Sequence, residues 1–183
     1  MFENLKLPQD IQCGMVLPAQ NRADMLRLAP RMEVAGFDSI WVGDHVSFYI
    51  PLLPLRHPTP VAKITSTLDL LSGGRLTLGV GVGGEFPPEF EACGVPLEER
   101  GPRIDEAIEV LRTLWTEDRA EHRGKHFSFG PVSLDPKPLQ KGGPPILIGG
   151  RKGPTFRRAG QHGDGYISHM CSAQQYARRP CWK

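Results

Sequence analysis

The sequence predicts an α/β protein with a mostly parallel sheet. Short apolar runs alternate with amphipathic stretches of helical period, the pattern of strands joined by crossover helices. Gly 21 and Pro 18 in 183 residues point to many turns rather than to disorder. The composition is that of a globular domain long enough to bury a core, with 39% hydrophobic and 23% charged residues. A formal net charge of +2 gives no broad electrostatic case for nucleic acid or an anionic membrane. No apolar run approaches the length of a transmembrane helix, and the N-terminal residues lack an apolar signal region. The expected location is cytoplasmic.

Residues 11–17 read as a first strand, ending at Pro18. Asn21 reads as the N-cap of a first helix, with Asp24 three residues on. Met25, Leu28, Ala29, Met32 and Ala35 form its apolar face, Pro30 predicts a kink, and Gly36 predicts the C-terminal stop. Residues 38–42 are a second strand, followed at once by Gly43, Asp44 and His45. Residues 52–55 suggest a strand stub. A second helix starts from Thr59 as N-cap and Pro60, with Val61, Ile64, Leu68 and Leu71 as its buried stripe and Gly73-Gly74 as its stop.

Residues 75–80 are a third strand running into Gly79, Gly81, Gly83 and Gly84. The strongest helix follows, with Pro102 in its first turn and Asp105 and Glu106 complementing its dipole. Ile104, Ala107, Ile108, Leu111, Leu114 and Trp115 share one face. Residues 122–143 read as an excursion of short extended pieces. Residues 145–149 are a fourth strand, 156–159 a short helix and 165–168 a fifth strand.

Cys13, Cys93, Cys171 and Cys181 include no C-x-x-C pair, which argues against a zinc knuckle and a disulfide scaffold. Most of them read as small buried hydrophobes. His122 and His126 are four apart, but Gly124 between them argues against a helical metal pair, so no metal is expected.

Gly79-x-Gly81-x-x-Gly84 fits the letters of the dinucleotide fingerprint. That motif needs a helix opening at the glycines, and Glu85-Phe86-Pro87-Pro88 is a poor start for one. The glycines fit better with a ligand lying flat against the strand end; a bulge or close packing is the alternative. The stretch Gly149-Gly150-Arg151-Lys152-Gly153-Pro154-Thr155 follows a strand and precedes a helix. Backbone N–H groups, two cations and a hydroxyl converge there, as at a helix N-terminus that holds phosphate. The alternative is a solvated turn. Asp44-His45 closes the second strand at the edge where parallel α/β folds place chemistry, and a histidine there can pass a proton while the neighbouring Asp orients it.

Five stretches together resemble the luciferase-like family of flavin- or deazaflavin-dependent oxidoreductases: GFDSIWVGDHV (36–46), LPLRHP (53–58), DLLSGGRLTLGVGVGG (69–84), FEACGVPLEERGPRIDEAIEVL (90–111) and PPILIGGRKGPTFRRAGQHGDGYI (144–167). The resemblance implies a (βα)8 barrel with the cofactor, FMN or the deazaflavin coenzyme F420, at the C-terminal strand ends. It implies hydride transfer or oxygen activation on a small organic substrate. His45 and Glu85 then match catalytic positions, although the spacing around Glu85 is one residue off. Asp44, Gly81, Val82 and Gly83 match the cofactor-facing strand ends, and Gly149, Gly150, Arg151, Gly153 and Thr155 the phosphate loop. Luciferases proper have a Cys and an Arg where this chain has Gly81 and Val82, which favours the deazaflavin-like branch. Tyr49 stands where that branch often has Trp.

A complete barrel of this type has about 250 residues, with about 200 as a floor. Here the single unit from Arg75 to Ile146 takes 71 residues, and the 112 that remain cannot hold seven more units at about 25 each. The expectation is therefore an incomplete TIM (β/α)8-type barrel with about five to six parallel strands. It is one domain over 1–183, lacking the family's segment after Val46 and its last two βα units. The open strand edges suggest a homo-oligomer that covers them. A catalytically silent flavin-binding protein and a non-functional fragment stand as alternatives to the enzyme.

Overall fold

The computed structural model describes residues 14–16, 22–42, 53–84 and 86–168. The chain forms two compact units, Met1–Tyr49 and Ile50–Lys183.

The first unit is a βαβ segment. Strand β1 (Gly14–Val16) pairs in parallel with β2 (Ser39–Trp41), Gly14 opposite Ser39. Helix α1 (Arg22–Val34) connects them and keeps Pro30 inside it. It stops where the sequence predicts. Gly36 takes φ +84, its N–H donates to Glu33 O, and Phe37 N–H reaches back to Met32 O at 3.2 Å. This satisfies the last carbonyls that a helix leaves open. The expected N-cap Asn21 lies outside the described residues.

The second unit begins with a 3₁₀ turn at Leu53–Leu55 where a strand stub was expected. Pro54 has no N–H for a ladder, and its carbonyl instead accepts from Arg103 Nε at 3.2 Å. Helix α2 (Pro58–Leu71) is capped by His57 rather than Thr59, the imidazole Nδ1 accepting from Thr59 N–H at 3.3 Å. Then come β3 (Leu78–Gly81), α3 (Pro87–Ala92), a 3₁₀ turn (Leu97–Glu99) and α4 (Arg100–Thr116). Strands β4 (Ala120–Arg123) and β5 (Ser128–Val132) follow. The chain continues through β6 (Ile146–Gly150), α5 (Gly153–His162) and β7 (Gly165–Ser168). The parallel sheet runs in the order β3-β6-β7. With β1 and β2, the five expected parallel strands are present. The excursion at 122–143 contains an antiparallel hairpin, β4–β5, that alternation alone did not reveal.

Helix α4 carries the core. Ile104, Ala107, Ile108, Val110, Leu111, Leu114 and Trp115 are all buried, packed with Val80, Ile146 and Ile148 from the sheet. Burying each of the Ile, Leu and Val side chains contributes about 1.5–3 kcal/mol. Helix α2 departs from its predicted stripe. Ile64, Leu68 and Leu71 are 58%, 47% and 78% exposed, whereas Ala62, Ser66 and Asp69 are fully buried. Polar chemistry reverses the face. The Asp69 carboxylate accepts from Gln140 N–H at 2.9 Å and Gln140 Nε2 at 2.7 Å, and Trp115 Nε1 donates to Ala62 O at 3.3 Å. Turning the leucines inward would give up these specific bonds, each to a charged acceptor contributing about 1.5–3 kcal/mol. Cys93 is exposed, against the expectation of buried thiols; the other cysteines lie outside the described residues.

Asp105 and Glu106 do more than complement a dipole. Asp105 pairs with Arg158 of α5. Glu106 holds the hairpin tip, accepting from His126 N–H at 2.9 Å, Phe127 N–H at 2.7 Å and the His122 ring at 3.2 Å. Gly124 sits so close to the Glu106 carboxylate that no Cβ fits there. Burial raises the Glu106 pKa, but the two amides, the His122 ring and the charge of His126 outweigh burial and hold it below 4.5.

Glu106→Ala should therefore cost about 2–4 kcal/mol of stability, read as a lower urea midpoint. A depressed folded pKa means a contribution that is complete above the unfolded value and is lost as pH falls through the folded one. The gap in urea midpoint between wild type and Glu106→Gln should narrow from about pH 7 to about pH 3. A gap constant over that range contradicts the assignment.

Candidate functional site

Parallel strands bring their C-terminal ends to one edge. The register does this for β3, β6 and β7: Gly81 lies opposite Gly149, and Gly150 opposite Ser168. The segments 81–84 and 149–152 therefore leave the sheet side by side. Gly81 and Gly150, both expected at the cofactor-facing strand ends, are brought to the same edge. His45 lies outside the described residues, as do Asp44 and Glu85.

Gly81 is buried and Val82 half-buried against the core, while Gly83 and Gly84 take φ +61 and +105. A helix does open after this run, against the sequence argument. Phe86 is the N-cap of α3, and Pro87 and Pro88 occupy its first turn, where an N–H is not needed. It has six residues and no side-chain cap.

The second loop is more constrained. Lys152, the N-cap of α5, is extended and makes no side-chain cap. Arg151, Lys152, Gly153 and Pro154 are exposed, while Thr155 is 5% exposed. The Thr155 hydroxyl lies 2.6 Å from where a Cβ on Gly150 would sit. Gly150 has φ +149, a backbone region that is essentially glycine's alone. Its carbonyl accepts from Tyr166 OH at 2.5 Å. Helix α5 is fixed from below by Arg158, whose guanidinium pairs with Asp105 and donates to Gly101 O at 3.3 Å. The exposed Arg151 and Lys152 stand at the start of α5 beside the buried Thr155, an arrangement a phosphate can use, although Thr155 N–H already donates to Lys152 O at 2.9 Å and Pro154 has no N–H.

The sequence reading missed Tyr166 and Arg100. The Arg100 side chain lies against Gly84, its Nε 3.0 Å from the place of a Cβ, and Nη1 donates to Leu97 O at 2.6 Å. His122 and His126 serve the hairpin: His126 Nδ1 faces Glu99 Oε2 at 3.4 Å, and its Nε2 is buried without a partner. Among the described residues, no group of His, Cys, Asp or Glu converges as metal ligands, and no helix is long and apolar enough to cross a membrane.

Gly150→Ala should destabilise by about 1–3 kcal/mol through its backbone conformation, and further through the Thr155 contact. In a Thr155→Ala background the second part should vanish. A double-mutant cycle on urea midpoints should show coupling of about 0.5 kcal/mol or more. Simple additivity contradicts the contact.

The profile of the family described as luciferase-like monooxygenase matches residues 48–180. The uncharacterized protein Rv0940c of Mycobacterium tuberculosis is 40% identical over 121 residues, 66% of this chain and 41% of that protein. An FMNH(2)-dependent dimethylsulfone monooxygenase of Pseudomonas putida is 36% identical over 120 residues, 64% of this chain and 33% of that one. An F420-dependent glucose-6-phosphate dehydrogenase of Amycolatopsis mediterranei is 28% identical over 183 residues, covering 79% and 52%. Among solved structures, the monooxygenase RslO1 of Streptomyces bottropensis superposes with a TM-score of 0.72 at 24% identity, over 85% of this chain and 59% of that one. The coenzyme F420-dependent tetrahydromethanopterin reductase of Methanopyrus kandleri gives 0.72 at 23%, over 86% and 55%. The chain thus spans about a third to a half of the length of these curated relatives. Its fold is α/β, an incomplete TIM-type barrel, and the chain belongs to the luciferase-like monooxygenase family.

Proposed function

We propose that the chain serves a flavin- or deazaflavin-dependent oxidoreductase that binds its cofactor, F420 or FMN, at the C-terminal ends of β3, β6 and β7. One observation carries this reading: the 149–155 loop, with Thr155 buried and Arg151 and Lys152 exposed, leaves the sheet beside the side-chain-free strand end at Gly81. The names of the relatives support the same two cofactors.

The residues divide the work. Gly149, Gly150, Arg151, Gly153 and Thr155 hold the phosphate through amides, charge and hydroxyl. Gly81, Val82 and Gly83 give the ring a flat strand end to lie on. His45 passes the proton, Asp44 orients it and borders the cofactor, and Glu85 assists. When bound, the cofactor supplies hydride exchange with a small organic substrate or activation of oxygen. The Gly81-Val82 pair, in place of Cys and Arg, favours the deazaflavin. Residues 1–183 act as one barrel domain, and a second copy covers the outer edges of β3 and β7.

The absorbance spectrum of the purified protein separates bound FMN, bound deazaflavin and apo-protein. If the loop holds phosphate, FMN should bind about tenfold or more tighter than riboflavin, and Thr155→Val should reduce that preference about threefold or more. Equal affinity for FMN and riboflavin contradicts the loop assignment. Turnover by this chain alone should be negligible, and light scattering should report an oligomer. A monomer with micromolar cofactor affinity and measurable hydride transfer overturns this expectation.

A further inference from the structure

Tyr166 does two things at the loop, and the sequence reading gave it neither. Its hydroxyl donates to Gly150 O at 2.5 Å. Its ring lies 5.2 Å from the Phe156 ring, centroid to centroid, at an interplanar angle of 56°. Gly150 is where the loop leaves β6, and Phe156 lies in the first turns of α5, where the loop ends. One side chain on β7 therefore touches both ends of the 149–155 loop.

The geometry explains how. Tyr166 lies opposite Ile148 in the β6–β7 ladder, so its side chain stands over the same region of sheet as the last residues of β6. From there the phenol reaches two residues further, to the carbonyl of Gly150. That carbonyl belongs to a residue at φ +149. Such a backbone has no local reason to hold its angle, because glycine allows many. A hydrogen bond to the carbonyl selects one of them. On the other side of Gly150 the Thr155 side chain occupies the space a Cβ would take. The carbonyl and the missing side chain of Gly150 are thus each matched to a neighbour.

We infer that Tyr166 is a positioning residue for the phosphate loop: its hydroxyl fixes the Gly150 turn and its ring fixes the start of α5, and together they set the opening into which the Thr155 hydroxyl and the loop amides face. This rests on the phosphate-binding reading of the loop. Tyr166 touches no phosphate itself. It acts by keeping the donors in register before the anion arrives, which reduces the ordering that binding must supply.

Two variants separate the two contacts. Tyr166→Phe removes the hydroxyl and keeps the ring; Tyr166→Leu removes both. FMN and riboflavin affinities are measured by fluorescence for wild type and each variant. Backbone amides of residues 150–155 are followed by NMR as inorganic phosphate is added. Tyr166→Phe should keep the thermal midpoint of wild type and the riboflavin affinity, weaken FMN about three- to tenfold, and raise the phosphate concentration needed to shift those amides by a similar factor. Tyr166→Leu should also lower the thermal midpoint and weaken FMN further. Unchanged FMN affinity in Tyr166→Phe overturns the inference while leaving the loop reading intact. Equal losses for FMN and riboflavin also overturn it, since they mean general damage rather than positioning. A wild-type protein that prefers neither FMN nor phosphate overturns the loop reading, and this inference with it.

Discussion

Strand β6 is the constraint on which the second unit depends. It is the middle strand of the parallel sheet and holds a ladder on each side. Ile146 and Ile148 are fully buried within the cluster built around α4. A central strand with alternate residues buried cannot slip by one position without turning those isoleucines to the other face. That fixes the register, and the register puts Gly149 beside Gly81 and Gly150 beside Ser168. The meeting of the two glycine segments is thus a consequence of core packing at Ile146 and Ile148, the residues that lead into the 149–155 loop.

The connections around this sheet are held by single carboxylates. Asp69 receives Gln140, Glu106 receives the hairpin tip, and Asp164 Oδ2 accepts from Ile146 N–H at 2.8 Å and Arg112 Nη2 at 2.9 Å. Each accepts a backbone amide from a segment distant in the chain. Hydrogen bonds to a charged acceptor contribute about 1.5–3 kcal/mol, enough to order a connection that packing alone would leave loose. The Arg112–Asp164 pair is partly exposed, so its amide bond matters more than its ion pair.

These carboxylates also explain what the sequence could and could not say. The α4 face was legible because a long helix with one buried side repeats its signal over several turns. The α2 face was not, because Asp69 finds its partner 71 residues away and no periodicity encodes that. A six-residue α3 after two prolines was misread for a local reason: the missing N–H groups fall where a helix does not use them. At the candidate site, the glycine loops were visible because each directly follows a strand. Tyr166 was not, because its reach to Gly150 depends on the β6–β7 register rather than on any spacing along the chain. Family resemblance supplied His45, Asp44 and Glu85, which lie outside the described residues.

The phosphate loop, as proposed, is mechanically self-contained. Its entry strand β6, exit helix α5 and bracing strand β7 are consecutive in the chain. Both ends are tied to α4, through Arg158 to Asp105 and through Asp164 to Arg112. None of these contacts involves the first unit. The course of the loop is thus set by contacts among β6, α5, β7 and α4, all within the second unit.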